Sequence, residues 1–441
     1  MVSSGIKKPL SQLKRPAVAG GAVALALAVG LVAVPLSATA DSDKFVTFNS
    51  FIDATRDSSF QDLTASSHDV AISDAHAFAQ MRGYVLDLYS GAKVRHSYVQ
   101  DGSYVDCVTK TSQPGLRATG SDRLAKPPKL KKKGHPDPDG AKGATTMARP
   151  HSADAYGNAL ACGKGTIPMQ RVTLDRLSHF KNLAAFFAKT PGGAPDARAN
   201  EHKYAHARQD VGNHGGQSSL NLWNPSGDFT LSQQWYTNGS GTGLQTVEGG
   251  WVHYPDKFGD SSALFIYHTP DGYQTGCYNL DCAAFVQTSS DWTLGAQFSN
   301  YSTKGGDQYE YSQQWQLKDG NWWLFLGSST DNMTSVGYFP ASVYNNGTVT
   351  NEANNVDYGG EVYTGGTNWP QMGSGESADK GWQQAAYQRT LFYLGSDGST
   401  NWAALNPNST LPCYTIDNQT PSDGTNWTNH FYYGGPGGGG C

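Results

Sequence analysis

The sequence predicts that residues 201–441 form an all-β domain, an antiparallel β-sandwich. A small segment of mixed α and β structure precedes this domain in the chain. Three observations predict this. Short aromatic and β-branched runs alternate with turn pairs in the C-terminal part, segments with helical spacing precede residue 200, and all 11 tryptophans lie at or after Trp223. Such runs bounded by turns are typical of hairpins, and one sandwich of this length is common.

Residues 1–40 have the pattern of a secretory signal peptide. Four basic residues precede an uncharged Ala/Val/Leu/Gly run over residues 17–34, and Ala38-Thr39-Ala40 has the small side chains of a cleavage site. A membrane anchor is the alternative, but the run is short for the roughly 20 apolar residues that span a bilayer. We therefore expect cleavage after Ala40 and a secreted, extracellular protein with no membrane association.

Residues 41–200, called the leader below, differ in charge from residues 201–441. Basic residues outnumber acidic ones by 21 to 16 in the leader, whereas acidic residues outnumber basic ones by 21 to 7 in the C-terminal part. Opposite net charges attract each other. Apolar residues with helical spacing over 74–82 and 174–187 indicate a small folded domain instead of a mere linker.

A basic linker, residues 126–140, interrupts the leader. It begins Lys-Pro-Pro-Lys-Leu-Lys-Lys-Lys, and its prolines and like charges predict an open loop. Basic tracts also bind nucleic acids, but in an exported chain we expect contact with the acidic domain or a processing site, and no nucleic-acid partner.

The C-terminal part carries hairpin turn signals between its aromatic runs. These are Asp271-Gly272, Asn346-Gly347 and Asp397-Gly398, and they predict antiparallel pairing of neighbouring strands. The one segment here that could form a short helix is 379–389.

Two glutamates stand out among the six in the chain. Glu248 precedes Gly249-Gly250, and Glu361 follows Gly359-Gly360, each inside a predicted strand. Glycine pairs inside strands are tolerated where a ligand or another backbone comes close. A carboxylate beside such a gap can touch a substrate, although glycine-flanked acids also occur at ordinary turns and bulges.

Two carboxyl groups that face one water can hydrolyse a peptide without a metal or a covalent nucleophile, because one activates water and the other protonates the leaving nitrogen. Like charges at close range hold one shared proton over an acidic range of pH, so we expect activity at low pH. We assign Glu361 as base and Glu248 as acid, although the sequence does not distinguish them. Side chains that could bind the substrate, its oxyanion or the water are Gln233, Gln234, Gln313, Gln314, Trp251 and Tyr363.

Other catalytic patterns are missing from the sequence. It contains no G-x-S-x-G and no H-E-x-x-H motif. His202 and His206 have the i, i+4 spacing of metal ligands, but no third ligand is evident, so we expect exposed or locally packed histidines and no cofactor. Six cysteines in an oxidising compartment can form three disulfides, in fifteen possible pairings.

Several spaced motifs cover most of residues 201–441. They are Glu248-Gly-Gly-Trp251, Tyr254-Pro-Asp-Lys-Phe-Gly-Asp260, Gly276-Cys-Tyr-Asn-Leu-Asp-Cys-Ala-Ala-Phe-Val-Gln287, Gly337-Tyr-Phe-Pro340, Gly359-Gly-Glu-Val362 and Met372-Gly-Ser-Gly375. In this order they resemble the neprosin family of secreted peptidases. A leader segment, Cys162 to Arg171, is similar to the end of the family's activation segment, and the rest of the leader departs from the family pattern.

This resemblance implies a zymogen with a mature domain of two antiparallel sheets, a monomer in our expectation. It implies a glutamic endopeptidase that cleaves proteins and peptides on the carboxyl side of proline, with Glu248 and Glu361 as the catalytic pair. The leader would be its intramolecular inhibitor. It also implies the disulfide pairs Cys277–Cys282 and Cys413–Cys441, which leaves Cys107 and Cys162 to bridge the leader.

Two other classes of protein remain open from the residues alone. Aromatic-rich β-sandwiches with paired carboxylates also hydrolyse glycosides. A carbohydrate-binding module without catalysis would use the tryptophans to stack on sugar rings. A basic leader in front of an acidic domain favours the peptidase, because a peptidase must be kept inactive and a lectin has little use for such a leader.

Overall fold

The computed structural model describes residues 44–66, 70–133, 141–145, 152–191, 202–419, 427 and 429–441. The predicted signal peptide and the second half of the basic linker lie outside these residues. Phe45–Cys441 forms one compact unit. The predicted boundary between residues 200 and 201 also lies outside the described residues and stays a prediction.

The leader contains six of the seven described α-helices and four short strands. The helices are α1 (Phe48–Asp57), α2 (Phe60–Ser66), α3 (Ala75–Tyr89), α4 (Pro114–Ala118), α5 (Leu174–Ser178), α6 (Leu183–Phe187) and, after the leader, α7 (Pro255–Phe258). The leader strands are β1 (Val94–Gln100), β2 (Ser103–Thr109), β3 (Ala141–Gly143) and β4 (Thr166–Gln170).

The C-terminal part is built from fifteen described strands. They are β5 (His202–Asn221), β6 (Phe229–Asn238), β7 (Gln245–His253), β8 (Ala263–Thr269), β9 (Cys277–Tyr278), β10 (Val286–Gln287), β11 (Gln308–Lys318), β12 (Asn321–Gly327), β13 (Thr334–Phe339), β14 (Ala353–Tyr363), β15 (Ala386–Gly395), β16 (Thr400–Trp402), β17 (Asn406–Ser409), β18 (Thr415–Gln419) and β19 (His430–Gly434).

The leader folds as a helix layer on a three-stranded antiparallel sheet in the order β1-β2-β4. Helix α3 begins where the Asp74 carboxylate accepts a hydrogen bond from the Ala77 amide, as an N-cap does. Its buried face carries Phe78, Met81 and Val85. The helical spacing predicted over 74–82 is confirmed, whereas residues 174–187 form two short helices because Asn182 caps a new one.

Strand β5 joins the two sets of strands in the C-terminal part. Its first half pairs with β14, which continues through β6, β7, β8 and β9, and its second half pairs with β11, which continues through β12, β13 and β10. The bend between the halves falls at Gly215, with φ +112°. A Cβ there would lie 2.1 Å from the carbonyl oxygen of Trp315, so the crossing needs glycine. The predicted antiparallel all-β fold is confirmed, with its strands joined into one curled sheet.

Two local predictions were wrong. Residues 379–389 do not form an α-helix: a single 3-10 turn, Ala378–Lys380, ends at Gly381 with φ +63°, and the chain then enters β15. Pairing of residues 386–394 with the neighbouring strands β5 and β19 overrides the weak helical signal.

Asn346-Gly347 does not close a hairpin either, since it lies between two 3-10 turns and β13 does not pair with β14. Asp397-Gly398 does turn between the paired strands β15 and β16.

Three disulfides are present, and their pairing is the one that the family resemblance implies. Cys107 bonds Cys162 inside the leader. The C-terminal part contains Cys277–Cys282 and Cys413–Cys441. Within the described ranges, no helix is both long and apolar enough to cross a membrane.

Candidate active site

Strand register brings Glu248 and Glu361 onto one face of the sheet. Strand β6 lies between β7 and β14, with Trp235 opposite Glu248 and Leu231 opposite Glu361. Residues four apart in a strand share a face, and so do residues directly opposite each other. The two carboxylates therefore point to the same side. Both are buried, Glu248 completely and Glu361 to 2% exposure.

One glycine from each Gly-Gly pair flanks Gln233, between the two glutamates. Gln233 is opposite Gly250 on one side and Gly359 on the other. A Cβ at Gly250 would lie 1.9 Å from the Ser232 carbonyl oxygen, and one at Gly359 would lie 2.4 Å from that of Ala205. Glycine is therefore required at both positions by close backbone approach.

Lys189 of the leader lies between the two glutamates. Its Nζ is 2.7 Å from Glu248 Oε2 and 2.9 Å from Glu361 Oε2. The side chain is 8% exposed, and its ammonium also lies over the rings of Trp235 and Tyr273 at 5.4 and 5.5 Å. Burial alone would lower the pKa of Lys189, but the two carboxylates outweigh burial and raise it. Lys189 is therefore a charged lysine in a buried site.

Neutral hydroxyl groups hold the other oxygen of Glu248. Thr246 Oγ1 and the Tyr273 hydroxyl each donate to Glu248 Oε1 at 2.7 Å. Burial raises the pKa of Tyr273 well above its usual value, and the neighbouring carboxylates raise it further. Tyr273 therefore remains a neutral donor at any pH at which a protein is handled.

A histidine and an amide hold Glu361. His202 Nδ1 lies 2.6 Å from Glu361 Oε1, and Gln233 Nε2 donates to Glu361 Oε2 at 3.4 Å. Burial would raise the pKa of Glu361, but Lys189 and His202 outweigh it and lower the pKa to about 2. Glu361 is held as a carboxylate.

The leader main chain around Lys189 also contacts the C-terminal part. We call residues 183–191 the plug segment. Lys257 Nζ donates to the Phe186 carbonyl oxygen at 2.6 Å, Tyr267 donates to that of Phe187 at 3.3 Å, and Tyr278 donates to that of Lys189. Three donors of the C-terminal part thus bind main-chain carbonyls, which any polypeptide offers.

A salt bridge beside the plug segment fixes the leader to the short disulfide loop. Arg176 pairs with Asp281, between Cys277 and Cys282, at 3.0 Å. Lys257 Nζ lies 3.4 Å from the same carboxylate. Burial lowers the pKa of Lys257 to about 7, against the opposing effect of Asp281. The loop is therefore a second charged contact of the leader.

The other predicted substrate-binding residues divide between the two faces of the sheet. Tyr363 is two residues beyond Glu361 and lines a depression together with Pro191 of the plug segment. The Gln313 amide donates to the Gly249 carbonyl from the side opposite Glu248. Trp251, opposite Ser232, is fully buried and donates to the Asn221 carbonyl. The structure therefore places Gln233 and Tyr363 on the same face of the sheet as the glutamates, whereas Gln313 and Trp251 lie on the opposite face.

Gln234 and Gln314 also lie away from the carboxylates. Gln234 donates to Ser218, and Gln314 donates to the main chain of Lys131. Among the residues that the structure describes, no group of three or more His, Cys, Asp or Glu is arranged to hold a metal. His206 pairs with Asp357 at 2.8 Å, which raises its pKa against the effect of burial.

Sequence reasoning missed Lys189 and Tyr273, and it did not predict the contact of His202 with Glu361. Lys189 is 172 residues from Glu361, and His202 is 159 residues away. A faint signal existed for Lys189, since it precedes the Thr190-Pro191 pair ahead of the predicted mature domain. Nothing local singles out Tyr273, one of 23 tyrosines.

Residues 226–436 match the Neprosin family. The chain carries a neprosin domain. Glu248, Glu361, Gln233 and Tyr273 lie inside the neprosin domain, whereas Lys189 and His202 precede it.

Solved structures of glutamic peptidases also share similarity with the chain. Scytalido-glutamic peptidase with a peptide-based transition-state analog is 9% identical, with a TM-score of 0.30, and the same enzyme with a transition-state analog inhibitor is 10% identical, with a TM-score of 0.32. SCP-B, a member of the Eqolisin family in complex with the tripeptide Ala-Ile-His, is 11% identical, with a TM-score of 0.27. Each match covers 53% of this chain and 98% of the other.

Proposed function

We propose that the chain is the precursor of a glutamic endopeptidase, which hydrolyses peptide bonds on the carboxyl side of proline with Glu248 and Glu361. The neprosin domain supports a glutamic peptidase. One observation carries the finer proposal: a lysine of the chain's own leader pairs with both glutamates in a buried site. A buried cation between two carboxylates is the contact expected of an inhibitor that keeps the pair inactive.

In the precursor, Lys189 would block the reaction in two ways. Its ammonium occupies the space between the carboxylates, where the attacking water would bind. It also pairs with Glu248 Oε2 at 2.7 Å, so that oxygen of the proposed acid is not open to a leaving nitrogen.

In the free enzyme, the two glutamates would take different roles. Once Lys189 has left, two close carboxylates share one proton. His202 and Gln233 still donate to Glu361, so Glu361 keeps the negative charge and Glu248 takes the proton. This supports Glu361 as base and Glu248 as acid.

The reaction would then proceed by general base and general acid steps. Glu361 removes a proton from water, whose oxygen bonds to the scissile carbonyl carbon. Glu248 protonates the nitrogen as the C–N bond breaks. The proton that Glu361 took from water then passes to Glu248, which returns both carboxyl groups to their starting states. The Gln233 amide is neutral at acid pH and would donate to the developing oxyanion.

The path of the plug segment supports a peptide substrate. Lys257, Tyr267 and Tyr278 donate to three of its main-chain carbonyls. A glycan offers no such row of carbonyls, so these contacts favour a peptidase over the glycosidase and the sugar-binding module. Pro191 lies beside Tyr363, which is consistent with proline recognition near that ring.

Acid would both release the plug and protonate the pair. Glu361 has a lowered pKa in the folded precursor, so its stabilising contribution is complete above its ordinary pKa of about 4.5 and is lost as pH falls towards about 2. Lys189 has a raised pKa, and its contribution is lost only as pH rises. The precursor should therefore loosen below about pH 4.5 and process itself near Pro191 or Pro195, the latter outside the described residues.

The test uses the full chain, held at pH 3–4 with a proline-rich protein and separately with polysaccharides. N-terminal sequencing follows the leader in the same samples. We expect cleavage after proline, no sugar release, and new N-termini near residues 191–196 that do not form in the Glu361→Gln chain. Hydrolysis of polysaccharide, or equal processing in Glu361→Gln with no other protease present, would contradict the proposal.

A further inference from the structure

A second leader segment lies in a groove of the neprosin domain away from the glutamates. We call residues 124–133 the groove segment. Gln314 Nε2 donates to the Lys131 carbonyl oxygen at 2.8 Å. With the Gln316 amide turned to satisfy both of its groups, its nitrogen donates to the Lys129 carbonyl at 3.2 Å and its oxygen accepts from the Lys131 amide at 2.8 Å. Two neutral side chains thus bind alternate main-chain groups of an extended peptide.

The lysine side chains of the groove segment contact main-chain carbonyls. Lys133 Nζ donates to the Thr400 carbonyl at 2.9 Å and lies 5.0 Å from the centre of the Trp402 ring. Lys131 Nζ donates to the Gly398 carbonyl at 3.4 Å. Carbonyl oxygens and an aromatic face attract an ammonium without a buried counter-ion.

The groove also has an apolar floor. Trp323, Phe325 and Tyr338 form a buried cluster, against which Leu124 and Leu130 of the groove segment pack. The Tyr338 hydroxyl accepts a hydrogen bond from the Ala125 amide at 3.2 Å. These aromatic side chains are buried while the leader is bound, and departure of the groove segment would expose them.

This groove is separate from the site of the two glutamates. It is built from β11, β12, β13 and the β15–β16 hairpin, whereas the glutamates lie on β7 and β14. Gln313, the neighbour of Gln314, points to the core behind the glutamates. Adjacent residues of a strand point to opposite faces, so Gln314 points away from that core.

We propose that this groove is a second peptide-binding site, which accepts extended lysine- and proline-containing segments of protein substrates once the leader has left. Amide side chains that bind the main chain do not depend on one sequence, so a foreign segment can take the same hydrogen bonds. Aromatic grooves suit proline-rich segments because their extended form loses little entropy on binding. Such a site would hold a long substrate while another part of it reaches the glutamates. The proposal rests on the proposed function only for departure of the leader.

Its test empties the groove in the full chain without any processing. The tethered segment is weakened by the triple change Lys129→Gly, Leu130→Gly and Lys131→Pro, which removes the Leu130 side chain and the Lys131 amide donor, in a chain that also carries Glu361→Gln so that no cleavage occurs. A fluorescent peptide with the sequence of residues 123–133 is added at neutral pH, and binding is measured by anisotropy. We expect saturable binding to the emptied chain, and binding at least tenfold weaker to the chain with its own segment intact.

Two further comparisons establish where the peptide binds. Adding Gln314→Ala and Gln316→Ala to the emptied chain should weaken binding at least tenfold, whereas the control Gln384→Ala, outside the groove, should not change it. A peptide with glutamate at its five lysine positions tests the charge contacts on an unchanged protein and should bind at least tenfold more weakly. Absence of binding to the emptied chain, or equal binding of the lysine and glutamate peptides, would overturn the proposal. Since no step needs catalysis, failure here and failure of the peptidase are distinguishable.

Discussion

Glu248 and Glu361 have similar local sequences and different surroundings. Each lies beside a Gly-Gly pair on a strand next to β6, and each pairs with Lys189. Two hydroxyl groups hold the second oxygen of Glu248, whereas the imidazole of His202 lies at that of Glu361. Local sequence thus marks both members of a carboxylate pair, whereas residues from distant segments give the two carboxylates different partners.

The largest expected effect comes from removing either carboxylate. Glu248→Gln and Glu361→Gln keep the side-chain shape but lose the proton chemistry, so each should reduce kcat/KM at acid pH by at least about 10³-fold. Initial rates on a proline-containing peptide measure this. Glu352→Gln and Glu376→Gln are the matched controls. A dyad variant as active as the controls would remove the basis for comparing the two glutamates.

Removing their shared partner should activate the precursor. Lys189→Met keeps most of the volume and leaves two buried carboxylates uncompensated, which costs the leader-bound state about 3–5 kcal/mol. The unprocessed chain should then cleave peptide without an acid pretreatment, in an assay that also tracks leader length by gel. Lys164→Met, at an exposed lysine of the leader, is the control. A Lys189→Met precursor that does not cleave the peptide would show that the leader inhibits by another contact.

His202→Gln should affect the pH dependence through Glu361. His202 lowers the pKa of Glu361, so a neutral amide in its place should raise that pKa. The acid limb of the kcat/KM profile should then move to higher pH, because the base is protonated earlier as pH falls. Profiles of processed enzyme measure the shift. His206→Gln, whose partner is Asp357, is the control. An unmoved acid limb would mean that His202 does not set the charge of the base.

The smallest effect is expected on the Glu248 side. Tyr273→Phe removes one of two hydroxyl donors and leaves Thr246 in place. The loss of one such hydrogen bond is worth about 1 kcal/mol, so kcat should fall roughly tenfold or less. Tyr301→Phe, which loses a hydrogen bond to Ser262 outside the site, controls for removal of a hydroxyl. A loss as large as that of Glu248→Gln would give Tyr273 a direct part in proton transfer.

The sequence predicted elements with a strong local pattern well. It predicted poorly those segments whose structure depends on pairing with strands distant in the chain. The spacing over 74–82 predicted α3, because the apolar spacing of an amphipathic helix depends only on residues close together in the chain. The segment 379–389 had a weaker helical pattern, and pairing of β15 with β5 and β19 overrode it. Gln313 and Trp251 appeared equivalent to Gln233 on paper, and only register shows that they lie behind the sheet.

By itself, the sequence determined the all-β class, the basic leader, the two glutamates beside Gly-Gly pairs and, by resemblance, the disulfide pairs. Each of these is a property of composition or of a short motif. The tertiary structure alone decided that Lys189 pairs with both glutamates, that His202 and Tyr273 hold different members of the pair, and that residues 124–133 occupy a groove of Gln314 and Gln316. These contacts join residues far apart in the chain, and strand register, which fixes the face of every side chain, depends on which strands pair.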